Sequence, residues 1–119
     1  MLKKISNLIN VISSFRHEYH DGYSFSQYSE DKIIHTLVTL HNIKYKNFID
    51  IGANHPVKYN NSFYQYRKGY FGINIEPNKR KYQLLTKVRP NDTNLNLAIG
   101  EMDSDEIFYH YQNDMYDTL

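Results

Sequence analysis

Several residue types are scarce or absent in this chain of 119 residues. It has no cysteine and no tryptophan, and it contains only five glycines and three prolines. Without cysteine, the chain can form neither a disulfide framework nor a thiolate metal site. The formal net charge is only +1, and acidic and basic residues are interspersed, so the sequence lacks the basic stripe that binding to a phosphate backbone requires. We therefore expect no nucleic-acid partner.

Long apolar runs are also missing. Apolar residues recur at near-helical spacing in the N-terminal region, but polar residues interrupt them, so neither a signal peptide nor a transmembrane span is expected. The pattern predicts an amphipathic helix and linker over residues 1–25, packed on the domain or on a partner. A helix lying on a membrane surface is the alternative, which only Lys3 and Lys4 favour. We accordingly expect a cytoplasmic protein. The apolar positions are Leu2, Ile5, Leu8, Ile9, Ile12 and Phe15.

The rest of the chain, residues 26–119, has the alternating helix and strand patterns of one small α/β domain with a parallel sheet. Short apolar runs predict strands at residues 47–51, 70–76 and 95–99. Alternation of apolar and polar residues predicts a further half-buried strand at 106–111.

Capping residues predict three helices between these strands. Ser29 can cap the first, Asn60 or Asn61 the second, which Gly69 ends, and Asn78 the third. The first helix is expected to face the sheet with its apolar residues, which are Ile33, Ile34, Leu37, Val38 and Leu40.

Two of the predicted strands end in a carboxylate. Asp50 lies at the end of the first apolar run and is followed by the small-residue turn 52–54, and Glu76 ends the second run. Ligands of open parallel sheets bind beyond the carboxyl ends of the strands, where a glycine turn allows close approach and an acidic side chain can accept ribose hydroxyls. The pairing predicts a nucleotide-type pocket; the alternative is an ordinary strand-to-helix turn.

The turn also bears on the kind of nucleotide. Dinucleotide binding needs G-x-G-x-x-G to bring amides against a pyrophosphate, and here only Gly52 is present, so a nicotinamide-dependent enzyme is disfavoured. Asp50, two residues before the glycine, instead suits a ligand with a positively charged amino group and a sulfonium. S-adenosyl-L-methionine is such a ligand.

A series of segments in a fixed order carries a family resemblance. The chain resembles the FkbM family of S-adenosylmethionine-dependent methyltransferases from about Ser26 onward. It departs from the family where His55 and Pro56 replace the commoner x-Gly and where Ser62 stands in place of threonine. The matching segments are Ser26–Asp31, Phe48–Pro56, Asn61–Ser62, Gly69–Asn78, Arg89–Asp92 and Leu95–Gly100.

The resemblance implies a partial Rossmann-like class I methyltransferase sheet with flanking helices. It also implies methyl transfer from S-adenosyl-L-methionine to a hydroxyl of a sugar, a glycan or a secondary metabolite. Asp31 and Gln27 could line the methionine end of the pocket, although Asp31 could equally lie in the first turn of its helix. The other cofactor-binding residues are assigned to the methionine moiety (Asp50, Gly52, Ala53, Asn54), the ribose (Glu76) and the adenine (Pro77, Asn78, Ala98, Ile99).

The family has a further core strand beside the first one, with an Ile-Asp-x-Glu-Gly-like signature. The sequence reaches Leu119 before any such segment. We therefore expect a truncated, cofactor-binding half of a methyltransferase, for which no catalytic base can be named. The alternative is a non-catalytic remnant or interaction module. An unpaired strand edge and an uncovered apolar face would make the chain self-associate.

The histidines do not complete a site. His17 and His20 lack the spacing of a zinc motif and a distant ligand, so a solvated loop without metal is expected there. His55, beside the glycine turn, could act as a general base because the pKa of a free imidazole lies near neutrality. A turn residue that satisfies a backbone carbonyl is the preferred interpretation of His55.

Overall fold

The computed structural model describes residues 24–101, 105 and 107–109. The predicted helix in residues 1–25 and the segment 17–21 with its two histidines lie outside this range, apart from residues 24 and 25. Within the predicted strand at 106–111, the described part contains a single β-bridge, at Tyr109.

The described residues form a small parallel sheet with helical connections. The strand order is β1-β2-β3, and Ile73 of β2 lies opposite Ile49 of β1 and Thr93 of β3. This arrangement confirms an α/β unit and is compatible with part of a Rossmann-like fold. In chain order the elements are α1 (Glu30–Leu40), β1 (Asn47–Ile51), α2 (Phe63–Arg67), β2 (Phe71–Ile75), α3 (Lys79–Val88) and β3 (Thr93–Leu95).

The third strand differs from its prediction. It covers Thr93–Leu95 instead of 95–99, and the amide of Glu76 makes the last backbone bond, to Leu95. Pro77 follows and has no N–H to extend the ladder. The Asn96 side chain then donates to the carbonyls of Glu76 and Pro77, at 2.8 Å each, so the chain leaves the sheet there.

Helix α1 also differs from its prediction. Ser29 has a positive φ of 68° and makes no side-chain capping bond; the Ser26 hydroxyl instead accepts from the Asp31 amide. The apolar residues expected to face the sheet are largely exposed, with Ile33 57% and Leu40 74% accessible. The helix packs against α2, and the residue that it buries is Asp31.

The predicted C-terminal end of α2 is confirmed, whereas its N-cap position is Ser62, which makes no capping bond with its own side chain. The Asn60 side-chain oxygen accepts from the amides of Ser62 and Phe63, at 3.0 and 2.7 Å, and so caps the first turn. Gly69 follows the last turn with φ +84°. The amides of Gly69 and Tyr70 donate back to carbonyls of the helix, which is the Schellman pattern.

Helix α3 begins where its sequence predicts. The Asn78 side chain accepts from the amides of Arg80 and Lys81, which identifies it as the N-cap. Leu85 is fully buried. The helix ends at Val88, two residues before Pro90, because a proline disfavours helical conformation in the preceding residue. The end of α3 leaves Arg89 in the interior.

The two faces of the sheet differ in polarity. The face that is buried under the helices carries Asp50, Gly72 and Asn74. The opposite face is apolar and open, with Ile49 67% and Phe71 58% exposed. Gly72 cannot carry a side chain, because a Cβ there would collide with the carbonyl oxygen of Phe48. The covered face is therefore largely polar, with the half-buried ring of Phe48 beside Gly72. Among the described residues, the buried apolar cluster consists of Phe25, Val57 and Phe63.

Candidate functional site

The turns after β1 and β2 lie side by side. Ile51 and Ile75 are paired at the ends of the two strands, and the Ile75 carbonyl accepts from the amides of Gly52 and Ala53, at 2.9 and 3.1 Å. Parallel strands bring their carboxyl ends to the same edge of a sheet. The glycine turn and Glu76 are therefore neighbours, as the sequence predicts.

Glu76 joins the two turns through its carboxylate. One oxygen accepts from the amide of Asn54 at 2.7 Å, and the other accepts from the amide of Asn78 at 2.8 Å. The side chain is only 5% exposed. Because each carboxylate oxygen can accept about two hydrogen bonds, both can still accept a hydroxyl from a ligand. The sequence did not reveal the two amide partners.

The glycine turn is held in a conformation that leaves room above it. Gly52 has φ +72° and Asn54 has φ +58°. Apart from the two chain neighbours of Gly52, no described residue has an atom within 4 Å of the position that a Cβ at Gly52 would occupy. Ala53 is buried, and its carbonyl accepts from the Asn60 side chain at 2.7 Å. The turn is thus held by Asn60 on its buried side, and the space next to Gly52 is open.

Asp50 is a buried acid whose hydrogen-bonding partner among the described residues is Ser62. Its Oδ2 accepts from the Ser62 hydroxyl at 2.5 Å, whereas no described residue donates to Oδ1. Burial raises the pKa of the Asp50 carboxyl, although the Ser62 hydrogen bond and the charge of Arg89 act in the opposite direction. A carboxylate with one unoccupied oxygen can accept a cationic ligand group.

Behind Asp50 lies a buried polar network that is centred on Arg89. Its guanidinium donates to Ser62, at 3.0 Å, to Asn60, at 3.1 Å, and to Asp92, at 2.8 Å, and a second nitrogen lies 2.7 Å from Asp92. Burial lowers the pKa of Arg89, and the charge of Asp92 counteracts that effect. Asp92 also accepts from the Gly72 amide and the Asn74 side chain.

This buried network was not predicted from the sequence. A local signal was present, since Arg89 and Asp92 are three residues apart around a proline turn. Such pairs are common on protein surfaces, however, so spacing alone does not reveal that this one is fully buried.

His55 lies in a turn, as expected, but its side chain makes different hydrogen bonds from the predicted one. Its Nδ1 accepts from the amides of Val57 and Lys58, at 3.1 and 3.0 Å, and no carbonyl of the described residues accepts from it. Burial, with the charges of Lys58 and Lys81, lowers the pKa of His55 to about 4. The imidazole is therefore neutral near pH 7, with the proton on Nε2, and it is placed to donate a hydrogen bond rather than to accept a proton.

Comparison with known proteins identifies the family. The family model described as Methyltransferase FkbM domain matches residues 50–118, which is more than half of the chain. The chain belongs to the FkbM methyltransferase family. No curated protein and no solved structure gives a significant match.

Several residues of the FkbM domain predicted to contact the cofactor meet at the strand ends. These are Asp50, Gly52, Ala53, Asn54, Glu76, Pro77 and Asn78. Pro77 is half-buried and Asn78 is buried. The match begins at Asp50, so it includes all of these residues.

The other four residues that were predicted to bind the cofactor do not lie in this group at the ends of β1 and β2. Gln27 is exposed and donates to the hydroxyl of Tyr28. Asp31 is fully buried in the first turn of α1, which is the second of the two positions considered for it. Ala98 and Ile99 lie in irregular chain after β3, and both are exposed. Their contact with a cofactor stays a prediction.

Neither a cluster of metal ligands nor a membrane-spanning helix is present among the described residues. Within the ranges that the structure describes, no three histidine or acidic side chains are grouped so that they could hold a metal ion. Across the same ranges, no helix has the length and apolar character needed to cross a membrane.

Proposed function

We propose that the strand-end site binds S-adenosyl-L-methionine and that the protein transfers the methyl group to a hydroxyl oxygen of a small-molecule or glycan acceptor. The observation that carries the proposal is the pair of carboxylates at adjacent strand ends. Asp50 keeps an oxygen free for a cationic group, and both oxygens of Glu76 can accept a further hydroxyl. The acceptor class follows from the family alone.

The residues of this site would hold and orient the cofactor. Asp50 would accept the amino group of the methionine moiety, Glu76 would accept the ribose hydroxyls, and the open space above Gly52 would allow the ligand to approach the backbone. When bound, S-adenosyl-L-methionine supplies an activated methyl group. In-line transfer also needs an acceptor oxygen held close by and a base for its proton. His55 is not assigned as that base, because its Nδ1 is occupied by two amides.

The cofactor assignment is tested by replacing Glu76 with glutamine. Hydrogen bonds to charged groups contribute about 1.5–3 kcal/mol each, so Glu76→Gln should weaken binding of S-adenosylhomocysteine roughly tenfold to a hundredfold. Isothermal titration calorimetry measures the affinity. Glu30→Gln is the matched control, because Glu30 also accepts a backbone amide but lies at the start of α1.

We expect the Glu30→Gln variant to bind as the parent does, and melting curves for both variants exclude general unfolding. If Glu76→Gln binds S-adenosylhomocysteine as tightly as the parent, Glu76 is not the ribose ligand.

A second candidate function is a non-catalytic interaction module, which the open face of the sheet favours. Ile49, Ile51 and Phe71 are all more than half exposed, and no described strand pairs with the free edge of β1. Exposed apolar patches and free strand edges promote association. On this view the 119-residue chain would self-associate and show no turnover by itself.

Self-association through this face is tested by the double variant Ile49→Lys/Ile51→Lys. Placing two positive charges on the apolar face should lower the apparent molecular mass in light scattering to that of the monomer, because the charges would be desolvated in the contact. The control is Ile33→Lys/Leu40→Lys on α1, where the replaced residues are comparably exposed. A parent chain that is already monomeric, or a control that dissociates equally, would contradict association by this face.

A further inference from the structure

We propose that Ser62, held by Arg89, is a positioning residue that keeps the Asp50 carboxylate turned toward the amino group of the cofactor. The inference rests on the proposed function and deepens it, because it explains how a buried acid is kept in one orientation at the site.

The hydrogen-bond geometry around Ser62 determines where its single proton lies. The hydroxyl oxygen is 2.5 Å from Asp50 Oδ2 and 3.1 Å from the Asn60 side-chain oxygen, and it accepts from an Arg89 nitrogen at 3.0 Å. A hydroxyl has one hydrogen to donate. Because hydrogen bonds to an ionised acceptor are shorter and stronger, the hydrogen points to Asp50, while Arg89 occupies an oxygen lone pair.

Arg89 is itself held by several buried partners. Three of its nitrogens are engaged, by Asp92, Asn60 and Ser62, and the side chain is fully buried. The planar guanidinium has a fixed fork geometry, so the position of Ser62 follows from that of Arg89. Asp92 is in turn held by the Gly72 amide of β2. The orientation of Asp50 on β1 is therefore coupled to β2 through buried groups.

Asp31 is a second buried aspartate of this chain, and its carboxylate has a purely structural role with which Asp50 can be compared. Asp31 accepts hydrogen bonds at both oxygens, from Ser24, Phe25 and Ser26 and from its neighbour Lys32. Among the described residues, the carboxylate of Asp50 has a single hydrogen-bonding residue, Ser62. Buried polar atoms are normally satisfied, so an acid left with a single partner next to an open turn has capacity for a ligand.

The test compares two ligands that differ in the amino acid moiety. S-adenosylhomocysteine carries the amino group, and 5′-methylthioadenosine lacks it but keeps the ribose and adenine. We expect Ser62→Ala to weaken S-adenosylhomocysteine at least about tenfold, the effect of one hydrogen bond to a charged group, and to leave methylthioadenosine unchanged. Ser62→Thr, which keeps the hydroxyl, should bind both ligands as the parent does.

A merely structural role for Ser62 would give a different pattern. Equal weakening of both ligands in Ser62→Ala, or no weakening of either, would overturn the inference. Should Ser62→Ala not fold, Ser62→Cys replaces it, because a thiol of similar size is a weaker donor, and the same ligand preference is expected. Failure of the parent to bind either ligand would overturn the proposed function itself.

The pH dependence of binding supplies an independent readout. Binding of the amino group needs ionised Asp50, so the affinity for S-adenosylhomocysteine should fall as the pH drops through the pKa of Asp50. Burial is the main cause that raises that pKa, whereas the Ser62 hydroxyl, the charge of Arg89 and the Ser62 amide lower it. Removing the Ser62 hydroxyl should therefore move the loss of affinity to higher pH, and an unmoved profile would contradict the proposed positioning role.

Discussion

Gly52→Val is expected to abolish binding of S-adenosylhomocysteine. Gly52 has φ +72°, which a β-branched residue adopts only with strain. The space above it is open in the described chain, so a branched side chain would occupy the volume assigned to the ligand. Isothermal titration calorimetry with a melting curve measures both effects.

Gly69→Val is the matched control for this experiment. Gly69 has φ +84° and the same open surroundings, but it lies at the end of α2. Left-handed conformation costs about 1–2 kcal/mol in a residue with a side chain, so both variants should melt at lower temperatures to a similar extent. Only the Gly52 variant should lose the ligand. If both bind as the parent does, the turn does not contact the cofactor.

Arg89→Met is expected to have the largest effect on stability. Removing one partner of a buried ion pair typically costs about 3–5 kcal/mol, and here the change also leaves Ser62 and Asn60 without their guanidinium donors. Small domains are stable by only about 5–15 kcal/mol in total. The variant should therefore unfold at much lower urea concentration than the parent.

Arg80→Met is the control, because Arg80 is exposed on the first turn of α3. Surface changes of this kind usually alter stability by less than about 0.5 kcal/mol. Equilibrium urea denaturation of the three proteins gives the free energy of unfolding. An Arg89→Met variant as stable as the parent would mean that the buried network contributes no net stability.

Features that depend on neighbouring residues could be predicted from the sequence. The bounds of β1 agree with the prediction, and Asn60 and Asn78 cap α2 and α3 as expected. Caps, glycine C-termini and short apolar runs act within a few residues. The proximity of the glycine turn to Glu76 also follows from the sequence, since parallel strands in register bring their ends together. The family, which the segment pattern indicated, is confirmed by the match to residues 50–118.

Predictions that depend on contacts with residues distant in sequence were wrong for the packing of α1 and for the bounds of β3. The apolar side of α1 was expected to cover the sheet, but its residues are largely exposed and α2 is its neighbour. A short apolar run predicted the third strand at 95–99, but the strand covers Thr93–Leu95 and ends there because the ladder on β2 stops at Pro77. A periodic pattern shows which face is apolar and does not show what lies against it.

The sequence by itself determined the order of helices and strands, the capping residues, the two carboxylates at the strand ends and the family. Only the tertiary structure decided which polar groups meet inside. Asp50 contacts Ser62 across 12 positions, Gly72 contacts Asp92 across 20, and Asn54 contacts Glu76 across 22. Hydrogen bonds of this kind depend on short distances and on burial, which local propensities do not encode. They form only after the sheet and the helices have brought the side chains together.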